Sequence, residues 1–145
     1  MVSYFVAQEG ETDLICRLLD ANGLPFSDIA ESGVQLIVAK VDDEIVGCIG
    51  LEIHEEEGLL RSFAVKSSYR GRGIGRSLYN SLLHFSIDHH IRTLHLLTNT
   101  AEDYFTKVGF VIGDRCNAPE LIKKSREFAC LCPSSALYMV LETPR

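Results

Sequence analysis

The sequence of 145 residues contains no tryptophan, only four prolines and two methionines, and fewer basic than acidic residues. Its 14 Lys and Arg against 20 Asp and Glu give a net charge of −6 at pH 7. A general nucleic-acid binder needs a broad basic face, and docking on anionic lipid needs basic clusters. The acidic balance therefore predicts no nucleic-acid partner and no membrane partner.

Long apolar runs are also lacking. No stretch approaches the ~18 residues that a membrane-spanning helix needs. The first residues lack the basic segment of a secretory signal, since Glu9 and Glu11 follow almost at once. The five cysteines are Cys16, Cys48, Cys116, Cys130 and Cys132. Their odd number and the lack of a CxxC pair are typical of reduced thiols, so we expect a cytoplasmic protein.

Histidines and cysteines do not show the spacing of a metal site. None of the five histidines belongs to an HExxH pattern, and Cys130 and Cys132 have no second pair to complete a zinc set. We therefore predict that the protein has no metal site.

The composition that remains is that of an ordinary globular protein, with 46 % apolar and 23 % charged residues. The length suits one compact domain with its own core. Because no linker, repeat or compositional break interrupts the chain, we predict a single mixed α/β domain over residues 1–145.

Hydrophobic periodicity and turn residues predict the elements of this domain. The predicted strands are residues 4–7, 34–41, 44–51, 59–65, 92–98, 110–112 and 136–141. The predicted helices begin at residues 11–13, 74, 100 and 117, and end near residues 22, 89, 107 and 128. Acidic segments at residues 42–43 and 54–58 are predicted to be turns.

One short segment is basic, unlike the chain as a whole. Residues 69–76, Tyr-Arg-Gly-Arg-Gly-Ile-Gly-Arg, hold three arginines and three glycines and no acidic residue. Glycines let the backbone turn tightly and approach a ligand. The helix that begins here adds free N–H donors and a partial positive charge. This basic glycine loop predicts a small anionic ligand, in particular a phosphate.

Three phosphate-binding motifs compete for the loop. The Walker motif GxxxxGK[ST] is absent, and the dinucleotide fingerprint GxGxxG has Arg76 in place of its third glycine. The third motif is Arg/Gln-x-x-Gly-x-Gly/Ala, which Arg70, Gly73 and Gly75 match.

This third motif resembles the pyrophosphate loop of the GCN5-related N-acetyltransferases, the GNAT family. Ala64-Val65 before the loop extends the resemblance to the family's motif A. Residues 105–110, Phe-Thr-Lys-Val-Gly-Phe, resemble its later Tyr-x-Lys-x-Gly-Phe element. The resemblance implies the α/β GNAT fold, which is a mixed, mostly antiparallel sheet with a splay between strands 4 and 5 and helices on both faces.

The resemblance also implies acetyl-CoA as cosubstrate, held in that splay. The backbone of Phe63 and Val65 is implied to pair with the pantetheine arm like an added strand. An N–H near Val65 is implied to polarise the thioester carbonyl, and the loop amides to hold the pyrophosphate. The implied cosubstrate residues are Phe63, Ala64, Val65, Arg70, Gly71, Arg72, Gly73, Ile74, Gly75, Arg76 and Phe105.

The chain departs from the family pattern at three positions. The tyrosine that commonly protonates the CoA sulfur is Phe105 here, with Tyr104 beside it. The asparagine before the late helix is Thr98, followed by Asn99. The glutamate that the family often has on the strand before the glycine loop, six residues before its final valine, is Leu59 here. We predict Tyr104 and Thr98 as catalytic residues and Asn99 as a substrate-binding residue.

These departures leave the proton chemistry open. Water or an acid from another element, such as Glu31, Glu52 or Asp103, could act as the base. An active N-acetyltransferase is the main prediction. A non-catalytic acyl-CoA sensor or regulatory module on the same fold is the alternative that the missing tyrosine favours.

Arg61 is the unusual residue of the predicted strand 59–65. Along the strand it alternates with Leu59, Phe63 and Val65, which predicts that it shares their apolar face. A charge in such surroundings is usually paired or functional. Two interpretations stay open: an ion pair with Glu52 or Glu55, or a substrate-binding fork for an acceptor carboxylate.

A narrower resemblance suggests the acceptor. Residues 97–105 resemble amino-acid N-acetyltransferases, whereas residues 23–25, 60–62 and 128–136 resemble the ArsN-type acetyltransferases of arsenic-resistance operons. The resemblance implies direct attack, in a ternary complex, by the amine of an amino acid or amino-acid-like compound. It also implies a role in arsenic or toxin resistance and leaves a homodimer open.

Overall fold

A computed structural model describes residues 1–29, 33–125, 128 and 136–144. In these residues the strands form a seven-stranded sheet in the order β1-β2-β3-β4-β5-β7-β6. The strands are β1 (Ser3–Val6), β2 (Gln35–Val41), β3 (Glu44–His54), β4 (Glu57–Val65), β5 (Thr93–Thr98), β6 (Val111–Ile112) and β7 (Leu137–Glu142). The helices are α1 (Thr12–Ala21), α2 (Ile74–Asp88), α3 (Glu102–Lys107) and α4 (Glu120–Lys123).

The sheet is antiparallel except between β4 and β5. These two strands pair in parallel only where residues 57–59 of β4 meet residues 93–95 of β5. Beyond Leu59 they separate, and in the described part of the chain no strand pairs with the facing edge of β4. The predicted splay between strands 4 and 5 is therefore confirmed.

Helices cover both faces of the sheet, as predicted. One core cluster packs α2, through Leu78 and Leu82, against sheet residues such as Val46. Another packs α1, through Ile15, against the opposite face, where Ile45 lies. Adjacent residues of β3 thus enter different cores, because successive side chains of a strand point to opposite faces. The α/β GNAT architecture is confirmed.

The two hairpin turns follow from short acidic segments. Asp42 and Asp43 connect β2 to β3 and both have positive φ, at 49° and 67°. Such a pair is typical of the two-residue hairpin turns whose twist suits flanking strands. The second predicted turn, over residues 54–58, is too long, because β3 extends to His54 and β4 begins at Glu57.

The predicted helix over residues 117–128 is not continuous. Helix α4 covers only Glu120–Lys123, after Pro119, and residues 126–127 lie outside the described ranges. The hydroxyl of Ser125 donates to the carbonyl of Ile122 and accepts from the N–H of Phe128. A side chain that bonds to the local backbone in this way competes with helical hydrogen bonding.

Strand β4 contains a β-bulge that simple alternation did not predict. Between the pairs Cys48↔Ala64 and Gly50↔Arg61, two residues of β4 face one residue of β3. Leu60 and Phe63, three positions apart, therefore pack against the same core. The prediction that Arg61 shares a face with Phe63 is wrong, because Arg61 points to the opposite, α1 side.

Three predictions concern residues outside the described ranges: Glu31 as a base and the thiols of Cys130 and Cys132. In the ranges that the structure covers, no helix is long and apolar enough to cross a membrane.

Candidate active site

A cleft of about 550 Å³ opens where β4 and β5 separate. It runs from the basic glycine loop, along the free edge of β4, to the start of α3. The predicted site residues Arg61, Thr98 and Tyr104 line it, as do all the predicted cosubstrate residues except Arg72. The lining also includes residues without a predicted role: Asn22, Leu24, Leu60, Ser62, Tyr69, Leu96, Leu97, Thr100 and Ala101.

The basic glycine loop forms one end of this cleft. Gly71 and Gly73 have φ of +79° and +80°, a conformation that disfavours residues with a side chain. Gly73 is the residue that precedes the first turn of α2. Since the first amides of a helix lack intrahelical partners, the loop directs N–H donors and the helix dipole toward this end of the cleft.

The arginines of the loop have different roles. The Nε of Arg70 donates to the Val65 carbonyl at 3.2 Å, and its guanidinium also bonds to the amide oxygen of Asn22. Arg70 therefore braces the loop against β4 and the end of α1. Arg76 lines the cleft, whereas Arg72 lies outside it, with its guanidinium 5.0 Å from the centre of the Tyr69 ring.

An aromatic cluster forms the opposite wall. Phe63 lies edge-on to Tyr104, with ring centres 5.9 Å apart, and 6.1 Å from Phe105. The Tyr104 hydroxyl is buried and has no hydrogen-bond partner among the described residues. Burial raises its pKa, and the nearby Arg76 charge opposes that shift only in part. Tyr104 is therefore protonated at neutral pH and could donate a hydrogen bond to a ligand in the cleft.

Thr98 and Asn99 lie near one another but differ in accessibility. Thr98 lines the cleft, and its hydroxyl oxygen accepts a hydrogen bond from the N–H of Ala101 at 3.0 Å. This contact holds the turn that leads into α3. Asn99 is exposed and does not line the cleft, so the structure does not place it beside the other predicted site residues.

The Arg61 side chain is fully buried in an ion cluster on the α1 side of the sheet. Its guanidinium donates two 2.6 Å hydrogen bonds to Asp28, one to each oxygen, and one of 2.8 Å to Glu52. Glu52 also contacts His54 at 3.2 Å. The predicted ion pair with Glu52 is present, and Asp28 is a further partner. Arg61 also lines the cleft, and its binding of an acceptor carboxylate stays a prediction.

A second buried polar network crosses β5. His95 joins the Tyr138 hydroxyl at 2.6 Å through Nδ1 and the Glu57 carboxylate at 2.9 Å through Nε2. His95 is opposite Leu59, where the pairing of β4 with β5 ends. Burial lowers the pKa of His95, although the Glu57 carboxylate works in the opposite direction.

The missed site residues differ in how visible they are in the sequence. Residue 22 is predicted only as the end of a helix, yet at that end the Asn22 side chain accepts a hydrogen bond from Arg70 of the loop. Ser62 carried no signal, because its left-handed backbone, with φ of +57°, depends on the bulge. Among the described residues, no group of three or more His, Cys, Asp or Glu could hold a metal ion.

Comparison with known proteins decides the family. A family model for the acetyltransferase (GNAT) domain matches residues 32–112, more than half of the chain. The chain belongs to this family. It is accordingly an acetyl-CoA-dependent N-acetyltransferase with the GNAT fold.

Individual relatives are more distant. YwlB, an uncharacterised protein of Bacillus subtilis, is 27 % identical over 127 residues, which cover 85 % of this chain and 84 % of YwlB. The N-acetylglutamate synthase of Neisseria gonorrhoeae, solved with coenzyme A and N-acetyl-glutamate, superposes with a TM-score of 0.85 at 19 % identity. The match covers all of this chain but only 36 % of the synthase.

A protein-modifying enzyme is also structurally similar. The ribosomal-protein-S18-alanine N-acetyltransferase of Escherichia coli has a TM-score of 0.77 at 15 % identity. That match covers 100 % of this chain and 96 % of the enzyme. At such identities the likeness of both structures shows the fold, not the acceptor.

The lowered pKa of His95 predicts a pH dependence of stability. Because the unfolded chain binds the proton more tightly, stability falls as pH drops through the ordinary histidine value of about 6.5. His95→Gln should therefore lose less unfolding free energy than the parent between about pH 7.5 and about pH 5. Urea titrations at both pH values measure this, with exposed His84→Gln as control; equal losses in parent and His95→Gln would contradict it.

Proposed function

We propose that this domain transfers the acetyl group of acetyl-CoA to the amine of a small molecule, an amino acid or an amino-acid-like compound. The observation that carries the proposal is the shared cleft of the basic glycine loop and the free edge of β4. A loop suited to phosphate and a strand edge suited to an extended amide chain meet there. Pyrophosphate and pantetheine are the corresponding parts of CoA.

At the loop end, the amides of residues 71–75 and the charge of Arg76 are proposed to hold the pyrophosphate. The positive φ of Gly71 and Gly73 turns the backbone without a side chain in the way of the phosphates. Arg72, which is exposed and outside the cleft lining, is proposed to supply long-range attraction. Arg70 is proposed to have a positioning role, because its Nε and one terminal nitrogen bond to Val65 and Asn22.

At the bulge end, backbone amides of β4 between Ser62 and Val65 are proposed to pair with the pantetheine and polarise the thioester carbonyl. This edge has no partner on β5. A fixed donor aimed at the carbonyl oxygen stabilises the negative charge that develops as the amine attacks. The amine attacks directly, so its nitrogen bonds to the acetyl carbon and the carbon–sulfur bond breaks.

Tyr104 is proposed to donate a hydrogen bond to the departing sulfur. Its hydroxyl is protonated, buried and without a partner among the described residues, which suits a donor that bonds only when the cosubstrate is present. Phe105, at the usual tyrosine position, packs against Phe63 and Phe110 and contributes only shape.

The base is proposed to be water. Glu52 is committed to Arg61 and His54, and Asp103 is exposed outside the cleft lining. Thr98 is proposed to position the start of α3 rather than to move a proton. The small-molecule acceptor is proposed from the resemblance of residues 97–105 to amino-acid N-acetyltransferases. A role in arsenic resistance, a cytoplasmic location and a homodimer stay predictions.

Thiol release from acetyl-CoA tests the activity. We expect turnover with at least one small amine in a panel of amino acids, amino-acid analogues and a peptide with a free N-terminus. Acetyl-CoA binding without turnover of any amine would contradict the enzyme and favour the sensor alternative. Turnover of the peptide alone would contradict the small-molecule acceptor.

Gly73→Val should impair the phosphate end. Valine strongly disfavours φ of +80°, and its side chain would stand where the phosphates approach. We expect the KM for acetyl-CoA to rise about tenfold or more, the effect of losing about 1.4 kcal/mol of binding. Gly10→Val, at a glycine with no atom within 4 Å of an added Cβ, is the control. An unchanged KM in Gly73→Val would refute the loop's assignment.

Tyr104→Phe should lower the turnover rate. Loss of the hydrogen-bond donor to the sulfur is expected to lower kcat about tenfold or more and to leave the KM for acetyl-CoA nearly unchanged. Steady-state kinetics measure both values, and Tyr4→Phe on β1 is the matched control. An unchanged kcat in Tyr104→Phe would show that this hydroxyl does not donate a hydrogen bond to the departing sulfur.

A further inference from the structure

The β4 bulge has a support that the proposed reaction does not explain. Between Cys48↔Ala64 and Gly50↔Arg61, Ser62 and Phe63 of β4 have no partner in the β3 register. Ser62 adopts φ of +57°, which is rare for a residue other than glycine. Strained backbone of this kind persists only when its surroundings enforce it.

The first enforcing contact is a buried thiol. The Sγ of Cys48 donates to the carbonyl of Ser62 at 3.1 Å, and the Cys48 side chain has no exposed surface. Burial raises the thiol pKa to about 12, so the donor proton stays on the sulfur. Cys48 thus supplies the hydrogen bond that the interrupted ladder does not give to this carbonyl.

The second contact comes from Arg61. Its Nε donates to the Ser62 hydroxyl oxygen at 3.1 Å while the other end of the guanidinium binds Asp28 and Glu52. Strand β3 is also packed tightly beside the bulge. A Cβ on Gly50 would lie only 3.2 Å from the Arg61 carbonyl oxygen and 3.0 Å from Val34. Packing and hydrogen bonds therefore act together to fix the bulge.

The direction of the Ser62 carbonyl determines where the next amide points. In a trans peptide the C=O and N–H groups point in opposite directions, and the described chain has no cis bond. Because the carbonyl is turned to Cys48 on β3, the N–H of Phe63 is turned away from β3, toward the splay. Phe63 lines the cleft at this point.

We infer that Cys48, assisted by Arg61, is a positioning residue that aims the Phe63 N–H at the thioester carbonyl. The inference rests on the proposed function and names the donor within it. Without the thiol, the Ser62–Phe63 peptide is free to rotate, and the donor is no longer fixed where charge develops. The phosphate end of the cleft is untouched.

The test compares Cys48→Ala with Cys48→Ser, which keeps a hydrogen-bond donor. We expect Cys48→Ala to lower kcat about tenfold, with the KM for acetyl-CoA within about twofold of the parent. Cys48→Ser should recover most of the lost kcat. Cys16→Ala is the control, because the Cys16 thiol lies half-buried on α1 with its Sγ 3.9 Å from the Phe26 carbonyl oxygen.

Two kinetic results would overturn the inference: a Cys48→Ala enzyme with the parent's kcat, or a Cys48→Ser enzyme no better than Cys48→Ala. Should Cys48→Ala not fold, Ser62→Ala tests the same peptide, because it removes the Arg61 contact and keeps the backbone strain. We expect it to lower kcat with little change in the KM for acetyl-CoA; an unchanged kcat in this variant would also overturn the inference.

A binding measurement separates this inference from the proposed function. The carbonyl stretch of bound, ¹³C-labelled acetyl-CoA should lie at lower frequency in the parent than in Cys48→Ala, since the aimed N–H weakens the C=O bond. If the parent acetylates no amine, the proposed function fails. The infrared comparison still tests whether the Cys48 thiol positions the Phe63 N–H. Identical frequencies in the two proteins would contradict the role of Cys48.

Discussion

The parallel pairing between β4 and β5 ends after three residue pairs, and the cleft depends on that break. A continuous ladder would use the backbone groups of β4 on its neighbour. Once the strands separate, this edge is available to an extended ligand, and the glycine loop that follows β4 lies at the end of the same opening. One interruption of hydrogen bonding thus joins a strand edge, an anion-binding loop and an aromatic wall.

The arginines on the two sides of the sheet have different surroundings. The arginines of the glycine loop are exposed or line the cleft, where they can attract an anion at long range. Arg61 is buried on the other side of the sheet and bound to Asp28 and Glu52. Removing one partner of such a buried cluster is costly, so it acts as a fixed support for the bulge. The acidic balance of the chain therefore includes carboxylates with a structural task.

Sequence patterns predicted the element order, the two-aspartate turn and the glycine loop, because each depends on local periodicity or on a short motif. The splay was implied only by the resemblance to the GNAT family. The patterns did not predict the bulge, since alternation assumes an unbroken ladder. They also missed the Asp28 partner of Arg61 and the Tyr138 partner of His95, which are 33 and 43 residues away. Those contacts arise only when the sheet brings distant segments together.

The central claim is that acetyl-CoA binds along the free edge of β4 with its pyrophosphate at the glycine loop. An amide NMR titration of the ¹⁵N-labelled protein with CoA tests it most directly. The account predicts the largest shifts at the amides of Phe63, Gly71, Gly73 and Gly75, with smaller changes at the start of α3. Shifts confined to other parts of the sheet, with these amides unmoved, would contradict it.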